Sequence, residues 1–258
     1  MQALAQLIVY ERIGYITLNR PDKRNALNSE LIEQLTELFE QAEVRDDVKV
    51  IVLKAQGEVF SAGADLGYLK SLQDNSLEEN LADSTYLKNL FKAVYLCTKP
   101  VIAQVEGHAI AGGCGLISVC DIIFSVPDAK FGYTEVKVGF IPALVSVFLI
   151  RKLGEARAKE LLLSGNLIDA ETASRYGLIN FVTEKSLITS VVKEYALKLA
   201  TTTSAESIKR TKQLLQVIQD SAMEEGLDAA VQANAEARTT DDCKRGIAAF
   251  LNKENITW

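Results

Sequence analysis

Histidine occurs once in the 258 residues, as His108, and cysteine four times, as Cys97, Cys114, Cys120 and Cys243, with no C-x-x-C pair among them. A zinc site needs closely spaced thiolate and imidazole ligands, and a secreted disulfide scaffold needs denser cysteine. Neither is indicated, no metal is expected, and the thiols read as reduced. No run of Lys and Arg exceeds two residues, and the formal net charge is −6. That balance disfavours a nucleic-acid or anionic-membrane face, leaving only a local basic spot. No apolar run reaches the roughly 18 to 20 residues that span a bilayer, the longest candidate lying around Ala143 to Ile150. Met1 to Tyr10 lacks the basic start, long apolar middle and small-residue cleavage site of a signal peptide, so a cytoplasmic chain is expected. There is no G-x-x-x-x-G-K-[ST] loop, no G-x-G-x-x-G with an acidic partner after a strand, and no G-x-S-x-G elbow. ATP, dinucleotide and Ser-His-Asp hydrolase chemistry are therefore disfavoured, and His108 reads as a satisfied or surface imidazole.

What is present is enough apolar material, 48% of residues, to build a core without staples. The β-rich runs Gly14–Leu18, Val48–Leu53 and Pro100–Val105 alternate with helical stretches, an α/β pattern. Leu31, Ile32, Leu35, Leu38, Phe39 and Ala42 recur at helical spacing behind a capping Asn28 or Ser29. A second helix between about Ser76 and Leu96 carries Leu77, Leu81, Leu87, Leu90, Phe91 and Val94. After about Ala143 helices dominate, over Glu155–Leu163, Asp169–Tyr176, Leu187–Ala200, Ser204–Ile218, Met223–Arg238 and Asp241–Leu251. Only Gly177–Val182 interrupts as a short strand, with Asp169 as an N-cap and Gly177 as a left-handed stop. With no Pro/Gly/Ser linker, residues 1–200 read as one core. Residues 201–258 read as a helical region packed on that core or on a neighbouring subunit.

Two glycine-containing segments lie just after β runs: Phe60-Ser61-Ala62-Gly63-Ala64-Asp65-Leu66, and Gly107 to Gly115 with its Ala111-Gly112-Gly113-Cys114-Gly115 core. Small residues at these turns let a ligand approach the main chain. A helix starting near Gly112 or Gly113 would turn its N-terminal N–H groups toward an anion or a developing oxyanion. Small residues also serve simply to pack helix on strand, so each segment alone would say little.

Taken in order, these pieces resemble the enoyl-CoA hydratase/isomerase (crotonase) superfamily over nearly the whole chain. The resemblance runs through Leu18–Leu27, Phe60–Leu66, Lys99–Ala103, Ala111–Gly115, Cys120–Ile122, Phe131–Glu135, Leu163–Ala170 and Tyr176–Ile179. It implies a crotonase (ClpP-like) spiral of ββα units with a C-terminal helical region, assembly as a homotrimer or dimer of trimers, and an acyl-CoA substrate. Coenzyme A would enter as part of that substrate, with no separate cofactor. Carried over by position, the resemblance places an oxyanion hole on the backbone N–H groups of Ala64 and Gly112. It places the CoA adenine and phosphates near Lys23, Arg24, Ala26, Ala62, Asp65 and Leu66. The implied setting is fatty-acid or branched-chain acyl-CoA degradation.

The same resemblance bears on the acid–base groups. Hydratases of the family usually carry two glutamates. The second is present as Glu135, whereas Gly115 stands where the first would be. Two carboxylates divide the handling of water and of the C2 proton between them; one carboxylate also suits a proton shuttle between C2 and C4. The stretch Glu135–Ala143 is similar to that of hydratases acting on branched, carboxylated acyl-CoA of the methylglutaconyl type, which also lack the usual Pro-Gly-Gly-Gly. Water addition to a 2-enoyl-CoA is therefore the first expectation and Δ3,Δ2 isomerisation the second. A catalytically weakened CoA-binding protein, with RNA binding as a side activity, is a third. By alternation alone Tyr133, Glu135 and Lys137 would share one face of a strand. Asp65, Glu106 and His108 are the candidate substitutes for the missing acid.

Overall fold

The computed structural model describes residues 3–65, 67–68 and 75–221, and beyond these only positions 231, 241–243, 245, 252 and 254. Strands β1 (Ala5–Tyr10) and β2 (Ile13–Leu18) form a hairpin, and α1 (Ser29–Val44) follows. Then β3 (Val50–Ala55) and β4 (Val59–Ser61) precede α2 (Leu77–Leu96). In the same way β5 (Val101–Val105) and β6 (His108–Ile110) precede α3 (Gly112–Ser118), and β7 (Ile122–Ser125) and β8 (Lys130–Gly132) precede α4 (Ala143–Ser164). The chain continues through β9 (Ile168–Asp169), α5 (Ala170–Tyr176), β10 (Phe181–Val182), α6 (Ile188–Thr202) and α7 (Ala205–Asp220).

The first pair, β1 and β2, stays in one sheet, and from β3 onward each ββα repeat splits its two strands between two sheets. The larger sheet has the order β1-β2-β3-β5-β7-β10 and the smaller β4-β6-β8-β9. From β2 onward the large sheet is parallel, as are β4, β6 and β8; β9 closes the small sheet antiparallel to β8. Successive repeats therefore step sideways by one strand in both sheets, which is the spiral, and no barrel closes. The central strands β3 and β5 are buried on both faces, as parallel strands covered by helices must be.

Local chemistry sets most boundaries. Asn28 accepts from the Leu31 N–H at 3.0 Å, a cap worth about 1 kcal/mol, and α1 buries Leu31, Ile32, Leu35, Phe39 and Ala42. Ser76 and Glu79 form a reciprocal capping box on α2. Asp169 caps α5 and Gly177, at φ +83°, ends it. Lys152 of α4 donates to the Ser118 and Cys120 carbonyls, placing a cation at the C-terminal end of α3.

Several expectations need correction. On α2 only Leu90, Phe91 and Val94 are buried, while Leu77 and Leu81 at its start are exposed. The helix expected over Glu155–Leu163 is present, starting directly after the non-helical Gly154 (φ +73°); the helical stretch from Ala143 that precedes it lies outside the expectation. The strand expected over Gly177–Val182 shrinks to Phe181–Val182. The segments Met223–Arg238 and Asp241–Leu251 fall almost wholly outside the described residues. The described part of the C-terminal region, α7, packs on its own chain: Lys212 reaches Asp121 at 2.5 Å and the Lys99 carbonyl at 3.0 Å, and Asp220 pairs with Arg151 at 2.7 Å.

Candidate active site

The segment after β4 and the start of α3 are pressed together. The Leu27 N–H donates to the Gly63 carbonyl at 2.7 Å, and the Asp65 N–H donates to the Leu27 carbonyl at 2.9 Å, making a parallel bridge between Leu27 and Ala64. In such a bridge the flanking residues bond the partner, so the N–H of the middle residue, Ala64, turns to the other side. No acceptor among the described residues takes it.

Across from it, the Gly115 N–H makes the first bond of α3, to the Ala111 carbonyl at 2.9 Å, leaving the Gly112 N–H without a helical partner. Ala111 adopts φ +49°, ψ −124°, a strained turn held by its N–H donating to the Gly132 carbonyl at 2.8 Å. Gly63, at φ +89°, stands where a Cβ would lie 2.8 Å from the Ala111 Cβ, 2.9 Å from the Ile110 carbonyl oxygen and 3.5 Å from the Gly112 nitrogen. A Cβ on Gly113 would lie 2.6 Å from the Ser61 Cβ and 2.7 Å from its carbonyl oxygen. Glycine at both positions is thus demanded by backbone approach, and Ala64 and Gly112 are brought to adjoining turns.

A polar frame locks these turns to residues 20–27. Asn25, fully buried, accepts from the Arg20 N–H and donates to the Gln56 and Val59 carbonyls. Ser61 donates to the Asn25 carbonyl at 2.8 Å, and the Ala62 N–H to the Arg24 carbonyl at 3.0 Å. Arg20 spans the Ala26 carbonyl (2.9 Å) and Asp65 (2.7 Å), whose other oxygen accepts from the Tyr68 N–H. Lys23, Arg24, Ala26, Ala62 and Asp65 therefore lie on one connected frame. Lys23 and Arg24 are exposed at its tip, Ala26 is buried, and the Asp65 carboxylate is engaged within the fold. Leu66 lies outside the described residues. Asn25 was not singled out from the sequence; its signal is a lone Asn inside an otherwise charged turn.

Glu135 does not sit on a strand. It opens a 3-10 turn, Glu135–Val138, closed by Gly139 at φ +77° and by the Phe140 N–H donating to the Glu135 carbonyl at 3.0 Å. Its side chain is half-buried, its buried Oε2 has no hydrogen-bond partner, and burial holds its carboxyl above the usual glutamate range. Three residues before Glu135, Gly132 accepts from the Ala111 N–H at 2.8 Å, so the turn follows directly from the strand that adjoins the start of α3, while Lys137 faces solvent.

Gly115 is a packing glycine. A Cβ there would lie 2.3 Å from Val145 Cγ1 and 3.0 Å from the Phe91 ring, so α2 and α4 have closed over the place a first glutamate would occupy. The proposed substitutes are committed elsewhere: Asp65 to Arg20, Glu106 to the Gln104 amide at 2.6 Å, and His108, through Nδ1, to the Lys130 N–H at 3.1 Å.

Among the described residues no three His, Cys, Asp or Glu side chains cluster to hold a metal, and no helix is long and apolar enough to cross a membrane. Cys114 and Cys120 are fully buried, which pushes their thiols up to about 12 and keeps them protonated.

The family model "Enoyl-CoA hydratase/isomerase" matches residues 9–258. A Thermus thermophilus protein named for enoyl-CoA hydratase activity is 40% identical over 241 residues, covering 93% of this chain and 95% of its own. The 2,3-dehydroadipyl-CoA hydratase of Escherichia coli is 34% identical over 256 residues, 97% of each chain. Among solved structures, enoyl-CoA hydratase of Mycobacterium smegmatis superposes with a TM-score of 0.93 at 28% identity, covering 100% of this chain and 99% of its own.

Proposed function

The chain belongs to the enoyl-CoA hydratase/isomerase family, and from that premise we propose that it adds water reversibly to a 2-enoyl-CoA with Glu135 as its one acid–base group. The observation that carries this reading is a buried, unpartnered carboxylate oxygen beside the helix whose first N–H, that of Gly112, has no acceptor. The N–H groups of Ala64 and Gly112 would receive the thioester oxygen. As water oxygen bonds to C3, Glu135 takes one water proton and the C2–C3 electron pair moves onto the thioester as an enolate. Glu135 then returns that proton to C2, so a single carboxylate balances the reaction. Each N–H of such a pair is typically worth about 10² to 10³ in rate, and the carboxylate about 10² to 10⁴.

The exposed Lys23 and Arg24 would meet CoA phosphates, with Ala26, Ala62, Asp65 and Leu66 shaping the adenine end. A carboxylated, branched acyl group of the methylglutaconyl type is the finer proposal, supported by the Glu135–Ala143 stretch; the relative named for 2,3-dehydroadipyl-CoA, an unbranched substrate, supports only the carboxylate. Assembly as a homotrimer or dimer of trimers is supported by exposed apolar side chains at Val138, Phe140, Ile141 and Val147.

One observation favours Δ3,Δ2 isomerisation as the second reading. With Val145 and Phe91 filling the space at Gly115, the site has one base and an apolar wall, which suits moving a proton from C2 to C4 without water. Incubation with crotonyl-, 3-methylglutaconyl- and 3-hexenoyl-CoA, followed by absorbance of the conjugated thioester and by product mass, separates the two. A gain of one water identifies the hydratase; new conjugation at constant mass identifies the isomerase. Turnover of none of them by the wild type, or wild-type turnover by Glu135→Gln, would remove the reading.

A further inference from the structure

Two buried side-chain atoms among the described residues lack a hydrogen-bond partner: the Tyr133 hydroxyl and Glu135 Oε2. They belong to residues two apart, on either side of the bend from β8 into the 3-10 turn. Tyr133 is fully buried, and three groups face it: the Cys114 thiol and the Ser118 hydroxyl from α3, and the Glu135 carboxylate. Ser118 spends its proton on the Gly115 carbonyl at 2.7 Å and so could only accept from the phenol, yet the phenol makes no hydrogen bond to it, and a thiol is a weak partner. A phenol left unpaired in a core costs stability that a phenylalanine of the same shape would not. Packing alone therefore gives no reason for the hydroxyl.

We propose that Tyr133 is a positioning residue for Glu135. Its O–H donates to the buried Glu135 oxygen while the carboxylate is charged, and so holds the other oxygen toward the reacting carbons. The inference rests on the reading of Glu135 as general base. It follows from two orphaned buried atoms on residues two apart along the chain, one able to donate and the other an acceptor. Contacts of this kind are commonly long until substrate is bound and then tighten. No carboxylate from α3 can do the same work, because Val145 and Phe91 occupy the space at Gly115. Burial, with the neighbouring thiol and carboxylate, pushes the Tyr133 phenol well above its ordinary range, so it stays a neutral donor throughout the cycle.

The test compares wild type, Tyr133→Phe, Ser118→Ala and Glu135→Gln on whichever enoyl-CoA the wild type turns over, reading kcat, KM, the pH profile and the melting temperature. Tyr133→Phe is expected to lower kcat about 10- to 100-fold, the worth of a hydrogen bond to a charged group, with KM little changed. Losing a donor to the charged form should move the acidic limb of the profile to higher pH, while the melting temperature stays level or rises. Ser118→Ala should leave the profile where it is. The proposal is overturned if Tyr133→Phe keeps the wild-type kcat and profile, or if Ser118→Ala reproduces its effect. If Glu135→Gln itself turns over normally, the reading of Glu135 fails instead, a result distinguishable from either.

Discussion

The two sides of the candidate site are held in opposite ways. Around Ala64 and Gly112 almost every polar group is spent inside the fold: Asn25 makes three hydrogen bonds, Arg20 bridges a carbonyl and Asp65, and Gly63 and Gly113 accept backbone at distances that exclude a side chain. On the side of Glu135 two buried polar atoms, its own Oε2 and the Tyr133 hydroxyl, are unsatisfied. The first region is over-determined, as a pair of fixed donors must be if they are to act without reorganising. The second carries unspent hydrogen-bonding capacity, which is where a proton can be moved.

Substitutions should separate the two regions. The largest effect is expected from Glu135→Gln: turnover falls about 10²- to 10⁴-fold in the absorbance assay while the fold is retained. Next, Gly113→Ala drives a methyl into Ser61 and shifts the start of α3. It should cost about 1–3 kcal/mol in denaturant unfolding and lose up to about 10²- to 10³-fold in rate through a displaced Gly112 N–H. Gly115→Glu sharpens the contrast, because the side chain meets Val145 and Phe91 rather than backbone. It should not restore a second acid, and should destabilise by about 3 kcal/mol or more, with Val145→Ala in the same chain recovering part of the loss.

A smaller and pH-dependent effect tests the buried carboxylate. The Glu135 pKa is raised in the folded protein, so the native state binds its proton more tightly than the unfolded chain does. Stability therefore falls as pH rises from the unfolded value, about 4.3, through the raised folded value. The stability advantage of Glu135→Gln over wild type should grow across that window and level off above it, as read by thermal melts. If the base must be ionised, catalysis should rise over the same pH range. The smallest change is expected from Ala111→Gly, which relieves the strained φ +49° at the head of α3 and should stabilise by about 1 kcal/mol, with a modest loss of rate.

Much of this was legible in the order of residues where the cause is local. Asn28 and Asp169 act as caps on the N–H three residues ahead and Gly177 on carbonyls three and four residues behind, so their chemistry needs only near neighbours. The small-residue turns at Gly63 and Gly112 announce close backbone approach. What could not be read was set by distant partners. The alternation of Tyr133, Glu135 and Lys137 imitates a strand, yet Gly139 and the bond from Phe140 wind it into a turn. By resemblance Gly115 stands where a first glutamate would be expected, but only the fold shows Val145 and Phe91 against it, from 30 and 24 positions away. Strand β9 is two residues long and exists because Lys130 and Phe131 offer an edge. Leu77 and Leu81 repeat at helical spacing and still face outward.

The most direct measurement is a crystal structure of Glu135→Gln with an enoyl-CoA bound. The amide nitrogens of Ala64 and Gly112 should both lie about 2.7–3.1 Å from the thioester oxygen, with the residue 135 side chain over C2 and C3. A thioester oxygen bonded to neither amide, or a residue 135 side chain on the far side of α3 from the acyl group, would contradict the account.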